Sequence, residues 1–133
     1  MVGDAVAAGS SINDASDIID MANYDSVMFV TTITDSAATG VAEILIEQND
    51  ANSGSGMAAI TGSTATATSE QNDDLNGKTL ITEVFRPSKR YVRATRKSAT
   101  ANIAYGECIA ILVPRRRPAD THASVADSAY VAN

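Results

Sequence analysis

The hydrophobic residues of this chain occur in short runs rich in Val, Ile and Thr, separated by stretches of Gly, Asn, Asp and Ser. This pattern predicts antiparallel strands, because β-branched side chains favour strands and the separating residues favour turns. In the run 26–34 the odd-numbered residues from Val27 to Ile33 would share one face of a strand, with Met28 and Val30 on the other. Apolar residues on both faces indicate a central strand.

The run 102–113 predicts the last strand, and Pro114 ends it because proline cannot donate a hydrogen bond to a neighbouring strand. Strict alternation along this run would give one face four large residues: Ile103, Tyr105, Ile109 and Ile111. The opposite face would carry Ala104, Cys108, Ala110 and Leu112. The remaining strands are predicted over 41–48, 64–68, 79–85 and 89–97. The Thr and Ala alternation of 64–68 is typical of an edge or interface strand.

These runs predict an all-β fold over residues 17–117, a single antiparallel β-sandwich or barrel of the jelly-roll-like kind. Residues 17–23 could form a strand or a short helix, and we favour a strand because seven residues without an apolar stripe rarely support a helix. Residues 1–16 and 118–133 are mostly Ala, Gly, Ser and Asp, so we expect flexible N-terminal and C-terminal arms. Tyr130, near the end of the second arm, could anchor it to a partner.

Composition indicates a core with little aromatic content, because aromatic residues make up only 5% of the 133 residues and Trp is absent. Ala and Val bury less area than Phe or Trp, so we expect homo-oligomerisation, as a dimer or trimer, to supplement the core. The single cysteine, Cys108, cannot form an internal disulfide. Residues 1–11 lack a basic and apolar leader pattern, and no apolar run approaches the ~20 residues of a membrane span, so we expect neither secretion nor a membrane partner.

The charged residues are divided along the chain. Positions 1–77 contain twelve acids and no Lys or Arg, whereas positions 78–117 contain all ten basic residues and two acids. In one interpretation these segments interleave in a sheet and neutralise each other. In the other, the subunit has an acidic and a basic side and binds neighbouring subunits through complementary charge. Nucleic acid is not a predicted partner, because the pI is about 4.5 and only Tyr91 lies within the basic stretch.

From this charge pattern we predict that basic residues of the later strands contact partner subunits. The predicted contact residues are Arg86, Lys89, Arg90, Arg93, Arg96, Arg115, Arg116, Arg117 and Tyr130. Arg90, Arg93 and Arg96 would form bidentate pairs with carboxylates of an adjacent subunit. Alternatively, they are solvated side chains on an exposed sheet.

Candidate catalytic chemistry is sparse, and we predict no catalytic residue, metal or cofactor. The only histidine, His122, lies in the polar C-terminal segment. Cys108 lies among aliphatic residues with no histidine nearby in the sequence, so we expect a buried, unreactive thiol. The acidic stretches 48–52 and 70–74 offer oxygen ligands but not the ligand spacing of an EF-hand loop. A carbohydrate-binding or ion-binding β-module therefore remains an alternative to an assembly protein.

Four segments together resemble the small decoration, or cement, proteins of tailed-phage capsids. They are IIDMANYDSVMFVTTIT, VAEILIEQND, KRYVRATRK and AYGECIAILVPRRRPAD, and the resemblance spans about residues 17–120. It implies a non-enzymatic virion protein, made in the host cytoplasm, that binds the major capsid protein on the capsid surface and stabilises its lattice. Another phage structural role, in a head-tail connector or tail tube, is the alternative.

Overall fold

The computed structural model of this protein describes residues 1–115 and Ala129. Within residues 1–115 the chain forms ten β-strands and no helix. They are β1 (Val6–Gly9), β2 (Asn13–Ala15), β3 (Ile19–Asp20), β4 (Tyr24–Ser36), β5 (Val41–Asn49), β6 (Ala58–Ala59), β7 (Ala65–Thr68), β8 (Thr79–Phe85), β9 (Tyr91–Ala99) and β10 (Ile103–Pro114). The predicted all-β class is confirmed.

The described strands form two open, antiparallel sheets. The four-stranded sheet has the order β1-β10-β4-β8, and the six-stranded sheet has the order β2-β9-β5-β6, with β3 beside β9 and β7 beside β5. The predicted central strand is confirmed, because β4 pairs with β10 on one side and β8 on the other. The predicted strand in 17–23 is present as the two-residue β3.

The hydrophobic core lies between the two sheets. Val27, Phe29 and Ile33 of β4 are fully buried, as the alternation predicts, and they belong to the same apolar cluster as Ile44 and Ile46 of β5. Tyr105 crosses this core from β10. Its hydroxyl accepts a hydrogen bond from the Glu43 backbone N–H at 3.0 Å and donates to the Lys97 carbonyl oxygen at 2.5 Å, so a single side chain joins the two sheets.

Residues 1–16 belong to the sheets, and the prediction of a flexible N-terminal arm is wrong. Strand β1 pairs with β10, and β2 pairs with β9. Before β1, the Val2 N–H donates to the Cys108 carbonyl oxygen and the Cys108 N–H donates to the Gly3 carbonyl oxygen, both at 2.8 Å. Composition misjudged this segment because backbone hydrogen bonds attach it to the fold, and its few apolar side chains, those of Val2, Val6 and Ile12, pack on the core. The predicted C-terminal arm, 118–133, lies outside the described residues apart from Ala129.

The predicted faces of the last strand are wrong because the pairing of β10 with β4 is interrupted. Tyr105 lies opposite Ile33 and Cys108 lies opposite Thr31, so three steps along β10 match two steps along β4. The extra residue reverses the alternation, as β-bulges do. Tyr105 is therefore buried before the bulge and Cys108 after it, while Ile109 and the following odd-numbered residues face outward.

Candidate interaction surfaces

The two exposed basic residues just before β9, Lys89 and Arg90, pair with acids of the same chain. The Lys89 Nζ lies 2.6 Å from Asp50, and the Arg90 guanidinium donates two hydrogen bonds to the two oxygens of Asp20, at 2.8 and 2.7 Å. This pairing lowers the pKa of Asp20, chiefly through the hydrogen bond from Arg90, and raises the pKa of Arg90. Both pairs are solvent-exposed, where an ion pair typically contributes about 0–1 kcal/mol to stability.

Arg93 pairs across two strands of the six-stranded sheet. Its Nε donates to the Glu47 carboxylate at 2.6 Å, and the hydroxyl of Thr95 donates to the same oxygen at 2.9 Å. The side chains of Arg93 and Glu47 are both mostly buried. The prediction that Arg90 and Arg93 meet carboxylates of an adjacent subunit is therefore not supported, because carboxylates of this chain already occupy their guanidinium groups.

Arg96 is a buried structural residue, and its prediction as a partner contact is wrong. Its side chain is only 1% exposed. The guanidinium donates to the Asp14 carboxylate at 2.6 Å, to the Asp4 carbonyl oxygen at 2.7 Å and to the Gly106 carbonyl oxygen at 2.5 Å. Its Nε has no hydrogen-bond partner among the described residues. Arg96 thus binds the N-terminal segment to the bulge in β10.

Gly3 shows how closely the N-terminal segment approaches this guanidinium. A Cβ atom at position 3 would lie 3.1 Å from the Arg96 Nη2 and 3.3 Å from the Cβ of Cys108. Cys108 is fully buried, and burial raises the pKa of its thiol. The predicted burial of this cysteine is confirmed.

Arg86 and Arg115 share one carboxylate, that of Asp25. The Arg86 Nε lies 3.6 Å from Asp25 Oδ1, and the Arg115 Nε lies 3.3 Å from the same oxygen and donates to the Tyr24 carbonyl oxygen. Both arginine side chains are more than half exposed. Two cations beside one anion leave this end of the four-stranded sheet with a net positive charge. Arg116, Arg117 and Tyr130 lie outside the described residues, so their predicted roles stay predictions.

The pairing of the charged segments agrees with the first interpretation of the charge pattern, in which acidic and basic segments interleave in a sheet and neutralise each other. The acidic strands β2, β3 and β5 all pair with the basic strand β9. Acids from the first half of the chain therefore lie beside bases from the second half, and the two segments largely neutralise each other. The alternative, a subunit with separate acidic and basic sides built from β9, is not what the structure shows.

A large apolar surface, which the sequence analysis did not identify, covers the outer side of the four-stranded sheet. We call it the apolar face, and it consists of Met28, Val30, Ile81, Phe85, Ile109, Ile111 and Val113. Five of these residues are strongly exposed: Ile81 (52%), Phe85 (66%), Ile109 (45%), Ile111 (49%) and Val113 (48%).

The strand register places these side chains in adjacent rows. Val30 lies opposite both Ile81 and Ile109, and Met28 lies opposite both Glu83 and Ile111. Three strands at a spacing of about 4.8 Å and a rise of about 3.4 Å per residue give a patch roughly 10 Å by 14 Å between backbone positions. The bulge in β10 creates this patch, because without the reversal Ile109 and Ile111 would point into the core.

Charged groups surround the apolar face unevenly. The Arg86 guanidinium lies over the Phe85 ring, 5.1 Å from its centroid, at the end where Asp25 is shared. Glu83 lies within the face, and Glu107 is exposed in the middle of β10, just beyond Ile109 at the other end of the face; neither has an ion-pair partner among residues 1–115. The face is therefore positive at one end and acidic at its centre and other end.

The described residues contain no group of three or more His, Cys, Asp or Glu side chains arranged to hold a metal ion. They also contain no helix able to cross a membrane. No family model matches this chain, and no curated protein or solved structure matches it either.

Proposed function

We propose that this protein is a structural subunit of a tailed-phage particle, a capsid decoration protein that binds the major capsid lattice and stabilises it. One observation carries the proposal, namely the apolar face on the outside of the four-stranded sheet. Contiguous exposed apolar patches of several hundred Å² are characteristic of surfaces that bind other proteins. The choice of a phage capsid comes from the resemblance of residues 17–120 to the decoration family.

The area of the apolar face supports a contact with protein. Its five most exposed residues together expose the equivalent of about two and a half whole side chains. At about 200 Å² for a large side chain, this is roughly 500 Å². The largest patch on a typical monomer is about 300–600 Å² and is often functional.

The proposed function does not depend on the basic residues of β9 and of the segment just before it. Lys89, Arg90, Arg93 and Arg96 are paired within the chain, so a partner would have to displace a carboxylate to reach them. Arg86 and Arg115 differ, because they are exposed, share one acid and border the apolar face. Their exposure beside the apolar face supports these two residues as partner contacts.

Quantitative mass spectrometry of purified phage particles from the cells that make this protein tests the proposal. A decoration protein should be present in hundreds of copies per particle, in proportion to the major capsid protein, and should be released by a mild chaotrope with loss of head stability. A few copies at one vertex would indicate a connector, and copies confined to tails would indicate a tube subunit. Either result, or absence from the particles, would overturn the proposal.

A further inference from the structure

We infer that the free edge of β8 binds an extended segment of a partner protein, which adds to the four-stranded sheet as a fifth strand beside the apolar face. This inference deepens the proposed function and rests on it for one point only, the identity of the partner as the major capsid protein. The strand edge itself can be tested on the isolated protein.

Strand β8 is the long, regular edge of the described fold. It spans seven residues, and its pairing with β4 continues from Thr79 to Phe85 without a register shift. The other edge of the same sheet, β1, has four residues and an interrupted register, and the edge strands of the six-stranded sheet have two to four residues. Proteins usually shorten, bulge or cover an edge strand, because an open regular edge pairs with other strands.

The hydrogen bonds at the two ends of the β8–β4 ladder show which backbone groups of β8 are open. At one end the Ile33 N–H donates to the Lys78 carbonyl oxygen at 2.8 Å, and at the other the Arg86 N–H donates to the Asp25 carbonyl oxygen at 2.7 Å. Even-numbered residues therefore bond to β4, because the two directions alternate along an antiparallel strand. The N–H and C=O groups of the odd-numbered residues point away from β4, and none has a hydrogen-bond partner among residues 1–115.

The same odd-numbered residues carry side chains of the apolar face, which defines the chemistry of the partner. Ile81 and Phe85 are exposed there, with Glu83 between them. Apolar residues of an added strand fit opposite Ile81 and Phe85, because side chains directly opposite each other in adjacent strands are in contact. Glu83 has no ion-pair partner in the described part of the chain, so a basic residue fits opposite it. The partner segment thus has the pattern apolar-x-basic-x-apolar. In such strand addition, main-chain hydrogen bonds supply affinity and alternate side chains supply specificity.

The residues below the edge favour a single added strand over a second folded copy. Strand β8 contacts both β5 and β7 of the other sheet, and Ala65 and Ala67 of β7 pack against the core but remain only half-buried. An added strand would lie over β7, and its inward side chains would complete the burial of these two alanines. Pairing β8 with the β8 of a second copy would bring that copy's own β7 into the same space. It would also place the two Glu83 side chains at diagonal positions, about 7–8 Å apart.

Amide hydrogen exchange of the free full-length protein, followed by nuclear magnetic resonance, tests whether the edge is open. The N–H groups of Ile81 and Glu83 should exchange at least about tenfold faster than those of Leu80 and Thr82, which bond to β4. Equal protection of all four would mean that the edge is already covered, by a second copy or otherwise, and would overturn the inference.

Titration with a synthetic peptide tests the occupant. The probe is acetyl-Thr-Val-Thr-Lys-Thr-Val-Thr-amide, whose Val, Lys and Val side chains lie on one side of an extended strand. We expect shifted resonances and slower exchange at the amides of Ile81, Glu83 and Phe85, with a Kd below about 1 mM. A matched peptide with Glu in place of Lys should bind at least about threefold more weakly, because its charge repels Glu83. Resonances of these amides that do not change, or changes centred on another surface, would overturn the inference.

A proline at an outward position separates backbone pairing from side-chain contact. Glu83→Pro removes an N–H that points away from β4, so the fold should remain intact while the ring blocks an added strand. Glu83→Ala is the matched control, because it removes the same carboxylate and keeps the N–H. The proline variant should have a peptide Kd at least about fivefold higher than the alanine variant. Equal values would mean that the peptide binds through side chains alone, which would overturn strand addition.

A charge exchange keeps the test decisive if far-UV circular dichroism shows that Glu83→Pro does not fold. Glu83→Lys should reverse the preference between the two peptides, because the residue opposite position 83 would then have to be acidic. An unchanged preference would overturn the assigned position of the added strand.

Rebinding to phage particles distinguishes this inference from the proposed function. Particles stripped of this protein by the chaotrope should bind Glu83→Ala at least about fivefold more tightly than Glu83→Pro. Equal rebinding would refute the strand edge as the capsid contact and retain the decoration function. Peptide binding at the edge of a protein that is absent from particles would retain the strand edge and refute the decoration function.

Discussion

The buried ion pair of Asp14 and Arg96 tests how the first residues are held in the fold. Asp14→Asn removes the negative charge and nearly preserves the shape of the side chain. The guanidinium of Arg96 would then remain buried with neutral acceptors alone: the carbonyl oxygens of Asp4 and Gly106, the Thr31 hydroxyl at 3.5 Å and the weaker amide oxygen of the new residue.

The expected loss follows from the unequal burial of the two partners. Removing one member of a fully buried pair costs about 3–5 kcal/mol. Here Arg96 is 1% exposed but Asp14 is 39% exposed, so solvent already screens part of the interaction. A hydrogen bond to a charged group contributes about 1.5–3 kcal/mol, and we expect the free energy of unfolding at pH 7 to fall by that amount.

Urea denaturation followed by far-UV circular dichroism measures this difference. Asp20→Asn is the matched control, because it removes the same charge from another acid that pairs with an arginine, namely Arg90 immediately before β9. The Asp20 and Arg90 side chains are 44% and 56% exposed, so this change should cost no more than about 1 kcal/mol. If Asp14→Asn were no more costly than Asp20→Asn, the buried Arg96 would not depend on its carboxylate and the reasoning would be refuted.

Other buried groups give further expected outcomes. Deletion of residues 1–9 should abolish the cooperative urea transition, because it removes β1 and uncovers Cys108; an unchanged midpoint would show that the segment is dispensable. A thiol reagent monitored by absorbance should modify Cys108 only as fast as the protein unfolds, and rapid labelling of the native protein would contradict its burial. Burial raises the pKa of Tyr105 from 10.0 to about 12, so its contribution to stability should be complete below pH 10 and lost between about pH 10 and 12. Ultraviolet titration of wild type and Tyr105→Phe checks this, and ionisation of every tyrosine near pH 10 without unfolding would disprove it.

Local sequence patterns predicted the strands well, because period-2 alternation depends only on residues within one segment. The buried set of β4 from Val27 to Ile33, and that of β5 at Ile44 and Ile46, follow directly from this alternation. The bulge between Tyr105 and Cys108 could not be predicted in the same way. The bulge depends on the register between β10 and β4, and the sequence of β10 alone does not specify that register.

The ion pairs were not predictable from local patterns for a related reason. Arg96 and Asp14 are 82 residues apart, and Arg90 and Asp20 are 70 residues apart. The division of charge between the halves of the chain could therefore be read as two sides of a molecule or as two interleaved segments. Only the pairing of β2, β3 and β5 with β9 distinguishes these readings, and it favours interleaving.

The two phenylalanines show why the apolar face is best explained as a contact surface. Phe29 is fully buried, whereas Phe85 is 66% exposed. Complete burial of such a side chain contributes about 1.5–3 kcal/mol, which a chain with so few aromatic residues would use in its own core if stability of the monomer were the only requirement. Phe85 instead lies at the outer edge of the four-stranded sheet, beneath the Arg86 guanidinium and in line with Ile81. A second protein surface would recover this burial, and the fold would then lose nothing by placing its second phenylalanine outside.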